Sequence, residues 1–196
     1  MQNILDKYYW DNRYDKHQTG WDVGRVSAPL KAYIDKLTDK GIAILIPGCG
    51  NAYEAEYLLQ QGFTDITLID ISPLLVNTIE EKLAKYIGKE LNIICDDFFN
   101  LDKKFDLILE QTFFCALDPS LRKNYADQMA VLISPGGKLV GVLFNRSFEG
   151  GPPFGGSKAE YEKLFSQKFT INVMDDCYNS IEPRQGSELF VKFSIL

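Results

Sequence analysis

Four short runs hold most of the chemistry open to this 196-residue sequence. From Ile44 to Phe63 it reads "ILIPGCGNAYEAEYLLQQGF", an apolar run that breaks at Pro47-Gly48-Cys49-Gly50 and resumes with helical spacing. Asp70, with Ile71 beside it, lies twenty residues beyond Gly50. Asp96-Asp97-Phe98 and Glu110-Gln111 each close a further apolar run. Taken singly, these are a tight turn, a local cap ahead of Ser72-Pro73 and solvated loop residues. Taken together they suit an adenosine-containing ligand. A carboxylate at that distance from a Gly-x-Gly turn accepts from both hydroxyls of a ribose. An acid followed by an aromatic accepts from the adenine amine while the ring packs on apolar neighbours.

The choice of adenosine ligand turns on Tyr53. A dinucleotide turn carries a third glycine for close helix–strand packing, and its helix N-terminus meets a pyrophosphate. Tyr53 stands where that glycine belongs, and no Gly-Lys-Ser/Thr offers a phosphate cradle. S-adenosylmethionine (SAM) has no phosphate and needs only backbone room beside its aminocarboxylate. On sterics the turn favours SAM.

The elements that must position these residues alternate. "IAILI", "DITLID", "LNIIC", "FDLILE" and "KLVGVLF" read as strands, the first of them apolar throughout as a strand buried on both faces would be. Between them "AYEAEYLLQQ", "SPLLVNTIEEKLAKYIG" and "PSLRKNYADQMAVLI" read as helices, the second with Ser72 as N-cap and Pro73 at its first position. Such alternation implies a parallel sheet with helices on both faces. "FTINVMDD" and "ELFVKFSIL" have no room for a crossover helix between them and predict a terminal antiparallel hairpin. Ligands in open α/β sheets lie beyond the carboxyl ends of the strands, where all four runs fall. The glycine- and proline-rich stretch Asn145 to Tyr161, "NRSFEGGPPFGGSKAEY", reads as a connector or substrate loop with Phe154 turned into the cavity.

Composition narrows the classes. One domain is expected over 1–196, with 1–40 covering the cofactor and 41–196 forming the core. The net charge of −6 disfavours a nucleic-acid partner. No apolar run is long enough to span a bilayer, and the N-terminus lacks a secretory core, so a cytoplasmic protein, monomer or weak homodimer, is expected. The four cysteines (Cys49, Cys95, Cys115, Cys177) are far apart, and there is one histidine, His17. No metal set of the usual zinc type can be assembled, and the cysteines read as reduced and mostly buried.

"ILIPGCGNAYEAEYL…ITLIDIS", "DDFF", "FDLILEQTFFCALDPSLRKNYADQM", "SPGGKL" and "GGPPF" resemble a class I SAM-dependent methyltransferase of the thiopurine methyltransferase family, closest to its halide/thiol methyltransferase branch. The resemblance implies an α/β, three-layer Rossmann-like fold with a seven-stranded, mostly parallel sheet and an antiparallel C-terminal hairpin. It implies cofactor contacts from Trp10, Tyr14, Trp21, Gly48, Cys49, Gly50, Asp70, Ile71, Asp97, Phe98, Glu110 and Gln111, with Phe114, Phe154 and Arg184 on the substrate side. Arg184 either meets an anionic substrate or pairs with Glu182 or Glu188. The chain departs from the family at Tyr14, where tryptophan is commoner, and at Glu110-Gln111, where Asp-Tyr or Asp-Arg is usual. The implied reaction is in-line methyl transfer from SAM, leaving S-adenosylhomocysteine, to a small-molecule acceptor: a thiol, sulfide, halide, thiocyanate or thiopurine. Such nucleophiles need positioning and exclusion of water more than a base. The aromatics from Tyr8 to Trp21 read as a packed lid whose rings face the sulfonium. The alternatives are an O- or N-methyltransferase of a small metabolite, a non-catalytic SAM-binding protein, or an NAD-dependent oxidoreductase.

Overall fold

The computed structural model describes residues 5–196. Seven strands form one sheet: β1 (Ile44–Pro47), β2 (Ile66–Asp70), β3 (Leu91–Cys95), β4 (Phe105–Gln111), β5 (Ile133–Phe144), β6 (Phe169–Asp176) and β7 (Glu188–Ile195). Their spatial order is β3-β2-β1-β4-β5-β7-β6. The strands β1 to β5 pair in parallel, while β7 lies antiparallel between β5 and β6. This is the expected terminal hairpin, with its second strand inserted into the sheet and not left at the rim. The order reverses between β1 and β4, which opens the crevice where such sheets bind ligands.

Helices cover both faces. α2 (Ala28–Ile34), α3 (Tyr53–Gln60) and α4 (Pro73–Leu83) bury Leu30, Ile34, Ala55, Leu58, Leu75 and Ile79 against Ile44, Ile46, Leu68 and Leu107. On the other face α5 (Arg122–Leu132) and α6 (Lys158–Phe165) bury Tyr125, Met129, Tyr161 and Phe165 against Leu45, Ile108, Leu139 and Val191. α4 starts as expected: Ser72 Oγ accepts the Leu75 N–H at 3.2 Å, with Pro73 next. It is shorter than the sequence suggests, tightening into a 3₁₀ turn at Ala84–Tyr86. α6 corrects the reading of 145–161 as wholly irregular, because Ser157 Oγ caps the Glu160 N–H and starts a helix at Lys158. All four cysteines are free; only Cys95 is exposed.

The remaining helix, α1 (Lys7–Asp15), has no buried residue and packs by polar contacts and ring edges. Asp11 Oδ1 accepts from Ser72 Oγ at 2.5 Å and from Leu74 N–H at 3.2 Å. α1 is thereby fixed to the N-terminus of α4, where a carboxylate is favoured by the exposed N–H groups.

Candidate active site

Two adjoining cavities lie at the carboxyl ends of the strands. The first, of about 580 Å³, is floored by Gly48 after β1, Asp70 at the end of β2 with Ile71 beyond it, Asp96 to Phe99 after β3 and Phe113 after β4. Trp10 and Tyr14 of α1 roof it. The second, of about 410 Å³, lies between α1, the Gly20–Trp21 segment, the loop after β5 and the connection before β7. Trp10, Thr112 and Ala116 line both.

The turn after β1 is built by backbone geometry that only small residues allow. Gly48 has φ +55°, and a Cβ there would sit 2.3 Å from the Phe113 ring. Gly50 is also left-handed, with the Tyr14 hydroxyl 4.0 Å from where its Cβ would be. Gly50 and Cys49 support the turn without lining either cavity; Cys49 is buried in the core below. Tyr53 does not obstruct helix–strand packing, which falls to the buried Ala52 and Ala55. Its hydroxyl donates to Asp22 at 3.2 Å, and Asn51 Nδ2 bonds the same carboxylate. The steric objection to a dinucleotide therefore falls.

Charge takes its place. Asp6, Asp70, Asp96, Asp97 and Asp118 line the first cavity, and no lysine or arginine does. Those carboxylates would repel a pyrophosphate and attract a cationic ligand. They are not a metal cage: among the described residues no three of His, Cys, Asp and Glu are grouped to hold an ion. Burial pushes the Asp70 carboxyl up to about 6, against the pull of N–H groups of Ser72, Gly50 and Ile71. Asp97 Oδ1 accepts the Phe99 N–H at 3.0 Å and Asp96 Oδ1 accepts the Asp97 N–H at 2.7 Å, which locks the turn.

The second cavity has the opposite sign. Arg13, Arg146 and Arg184 line it, and no Asp, Glu or His does. The rest of its wall is largely aromatic or proline: Tyr9, Trp10, Trp21, Phe144, Phe148, Pro152, Pro153 and Pro183. Arg184 pairs with Glu188 at 3.5 Å, one of its two expected partners, and also lines the cavity. It also donates to the Trp21 carbonyl at 2.8 Å. Trp21 meets Trp10 and Tyr14 edge to face at 5.7 and 5.8 Å. Burial raises the Tyr14 hydroxyl far above its ordinary range, and Asp70 adds to the effect. His17 lines neither cavity.

Several expected contacts do not reach a cavity. Glu110 is 1% exposed and lies beneath the turn after β4. It accepts from the Phe113 and Phe114 N–H groups at 2.8 and 3.0 Å and from the Tyr125 hydroxyl at 2.6 Å. Burial pushes its carboxyl up to about 7. These bonds hold Thr112 at φ 59°, a left-handed conformation that is strained for a β-branched residue. Phe114 is a core residue packed on Tyr125 and Tyr161, and Phe113 takes the cavity wall instead. Phe154 lies over Gly151 with its N–H on the Cys115 carbonyl at 2.7 Å, leaving Pro152 and Pro153 to face the cavity. Gln111 lines neither space, yet its Oε1 is enclosed with no hydrogen-bond donor among the described residues.

The sequence-only reading missed Thr112, Ala116, Asp6, Asp118, Arg13 and Arg146. Of these, only the two arginines carried a signal, as cations flanked by aromatics in a chain of net charge −6.

Comparison with known proteins bears on the fold and the family. Magnesium protoporphyrin IX methyltransferase of Synechocystis PCC 6803, solved with bound SAM, superposes with a TM-score of 0.73 over 97% of each chain at 15% identity. "Probable thiol methyltransferase 2" of Arabidopsis thaliana is 31% identical over 186 residues, covering 91% of this chain and 81% of that one. "Thiocyanate methyltransferase 1" of Brassica oleracea is 28% identical over 197 residues, covering 96% and 85%. The thiopurine S-methyltransferase family model matches residues 5–192. The chain belongs to the thiopurine S-methyltransferase family and is a SAM-dependent methyltransferase.

Proposed function

We propose that this enzyme moves the methyl group of SAM onto a small, soft nucleophile (a thiol, sulfide, halide, thiocyanate or thiopurine) by in-line displacement. The observation that carries the reading is the meeting of an acidic and a basic cavity at Trp10, Thr112 and Ala116. The names of the thiol and thiocyanate methyltransferase relatives support the same acceptor chemistry. The first cavity fits SAM: its carboxylates suit a sulfonium and an ammonium. When bound, the cofactor supplies a methyl group made electrophilic by its positive sulfur. Asp70, next to Ile71, would take the ribose hydroxyls, and Asp97 with Phe98 the adenine. Gly48, held in place by the turn after β1, would take the amino-acid end. Trp10, Tyr14 and Trp21 shield the site from water and offer ring faces to a cation.

In the second cavity the guanidiniums favour an acceptor's ionised sulfur over its thiol form. No proton then has to be removed during transfer, which fits a wall without His, Asp or Glu. An O- or N-acceptor would lack a base there. The same reading has the protein in the cytoplasm, a monomer or weak homodimer, acting on a small molecule and not on nucleic acid; the net charge of −6 supports the last point. Among the described residues no helix is long and apolar enough to cross a membrane. A labelled methyl-transfer screen over thiols, hydrosulfide, iodide, thiocyanate and thiopurines, with matched phenols and amines, tests the reading. At least one sulfur or halide acceptor should outpace its oxygen and nitrogen analogues; methylation confined to phenols or amines would overturn it.

A further inference from the structure

The basic cavity is larger and more charged than a bare nucleophile requires. A monatomic anion or hydrosulfide has a volume on the order of one water, ~30 Å³, a small fraction of the 410 Å³ available. Nor are its three guanidiniums equivalent. Arg184 is neutralised by Glu188 and occupied by the Trp21 carbonyl. Among the described residues Arg13 has only neutral partners, with Nε and Nη2 on the Tyr9 hydroxyl at 3.2 and 2.9 Å and Nη1 on Gln18 Oε1 at 3.2 Å. Arg146 has no side-chain hydrogen bond or ion pair to any described residue; its guanidinium lies 4.8 Å from the Phe148 ring centroid. The base of Arg146 is nonetheless fixed, because its carbonyl accepts the Gly156 N–H at 2.9 Å. Two arginines without a counter-ion on one cavity wall, in a chain of net charge −6, mark a place for an anion supplied by the ligand.

We propose that Arg13 and Arg146 form a subsite for a second anionic group on the acceptor, so that the preferred substrate is a thiol whose skeleton carries a carboxylate. This deepens, and rests on, the reading of the second cavity as the acceptor site. In the transfer the acceptor sulfur's electron pair forms the new carbon–sulfur bond. The donor's carbon–sulfur bond breaks with its pair remaining on the donor sulfur, and the carboxylate is left unchanged. Its role is recognition, which sets Arg13 and Arg146 apart from residues that touch the reacting atoms.

The test uses a matched pair, 4-mercaptobenzoate and 4-methylbenzenethiol, under steady-state methyl transfer. The wild type should prefer the carboxylate by at least about tenfold in kcat/KM. Arg146→Gln and Arg13→Gln should each reduce that preference about tenfold through KM, and Arg146→Lys should restore part of it. A wild type that uses both thiols equally, or variants that slow both members alike, would overturn the subsite. A second arm separates this from failure of the acceptor reading itself. Binding of the product 4-(methylthio)benzoate, with S-adenosylhomocysteine present, is measured by calorimetry in wild type and Arg146→Gln. If neither thiol is methylated, the acceptor reading falls, while weaker binding to Arg146→Gln would still establish the anion subsite and equal binding would remove it.

Discussion

The acidic cavity takes most of its floor from strand ends, whereas the basic cavity takes much of its wall from connections. Gly48, Asp70 and Asp96 sit one or two residues beyond or at the ends of β1, β2 and β3, so sheet register fixes their spacing to within a fraction of a residue. Arg146, Phe148, Pro152 and Pro153 lie in the loop after β5, Pro183 and Arg184 in the link before β7. Loops absorb substitution with less effect on the core than strands do. One side of the molecule is therefore fixed in geometry, while the other is free to change its ligand.

Substitutions on either side of the boundary break or sharpen this comparison. The largest effect is expected at Trp10, which belongs to both walls. Trp10→Ala should lower kcat about a hundredfold, as misplacement near 1 Å does, with the fold retained because α1 buries no residue. Single-turnover methyl transfer measures it, and an unchanged rate would mean that the two cavities do not meet there.

Next is Asp70→Asn, which should weaken SAM binding about tenfold, or about 1.4 kcal/mol. Because the Asp70 carboxyl stands at about 6, wild-type SAM affinity should fall as pH drops through 6 and the acid gains its proton, by up to about tenfold per unit. The variant should show a flat profile between pH 5 and 7. A sloping profile in Asp70→Asn would assign the titration to another of the carboxylates.

The smallest effect is expected at Tyr53→Phe, which removes one donor from Asp22 and leaves Asn51 in place. A loss of about 1 kcal/mol in unfolding free energy, with SAM affinity changed less than threefold, is the expected outcome of denaturant titration and calorimetry. A large loss of affinity would return Tyr53 to the cofactor side of the comparison.

The alternation of strands and helices, the terminal hairpin and the acids at the ends of β2 and β3 were legible because each rests on period, punctuation and a parallel sheet's open end. The wall residues after β4 were not. Thr112 at φ 59° turns the chain out of strand alternation, so the parity that would point Phe114 at the ligand points Phe113 there instead. Glu110 looked like a site residue by position, yet two N–H groups and a tyrosine hydroxyl draw it under the turn. At Tyr53 the inference of cofactor type pointed the right way on the wrong ground: the five carboxylates argue for a cation, and only folding brings Asp6 and Asp118 to the other three. Arg13 and Arg146, separated by more than a hundred positions in sequence, had no local pattern to join them.

Trp10 has a consequence for the order of events in a turnover. Since one indole on α1 lines both compartments, any displacement of that helix changes both at once. Kinetics should then be those of a ternary complex, initial-rate lines intersecting and not running parallel.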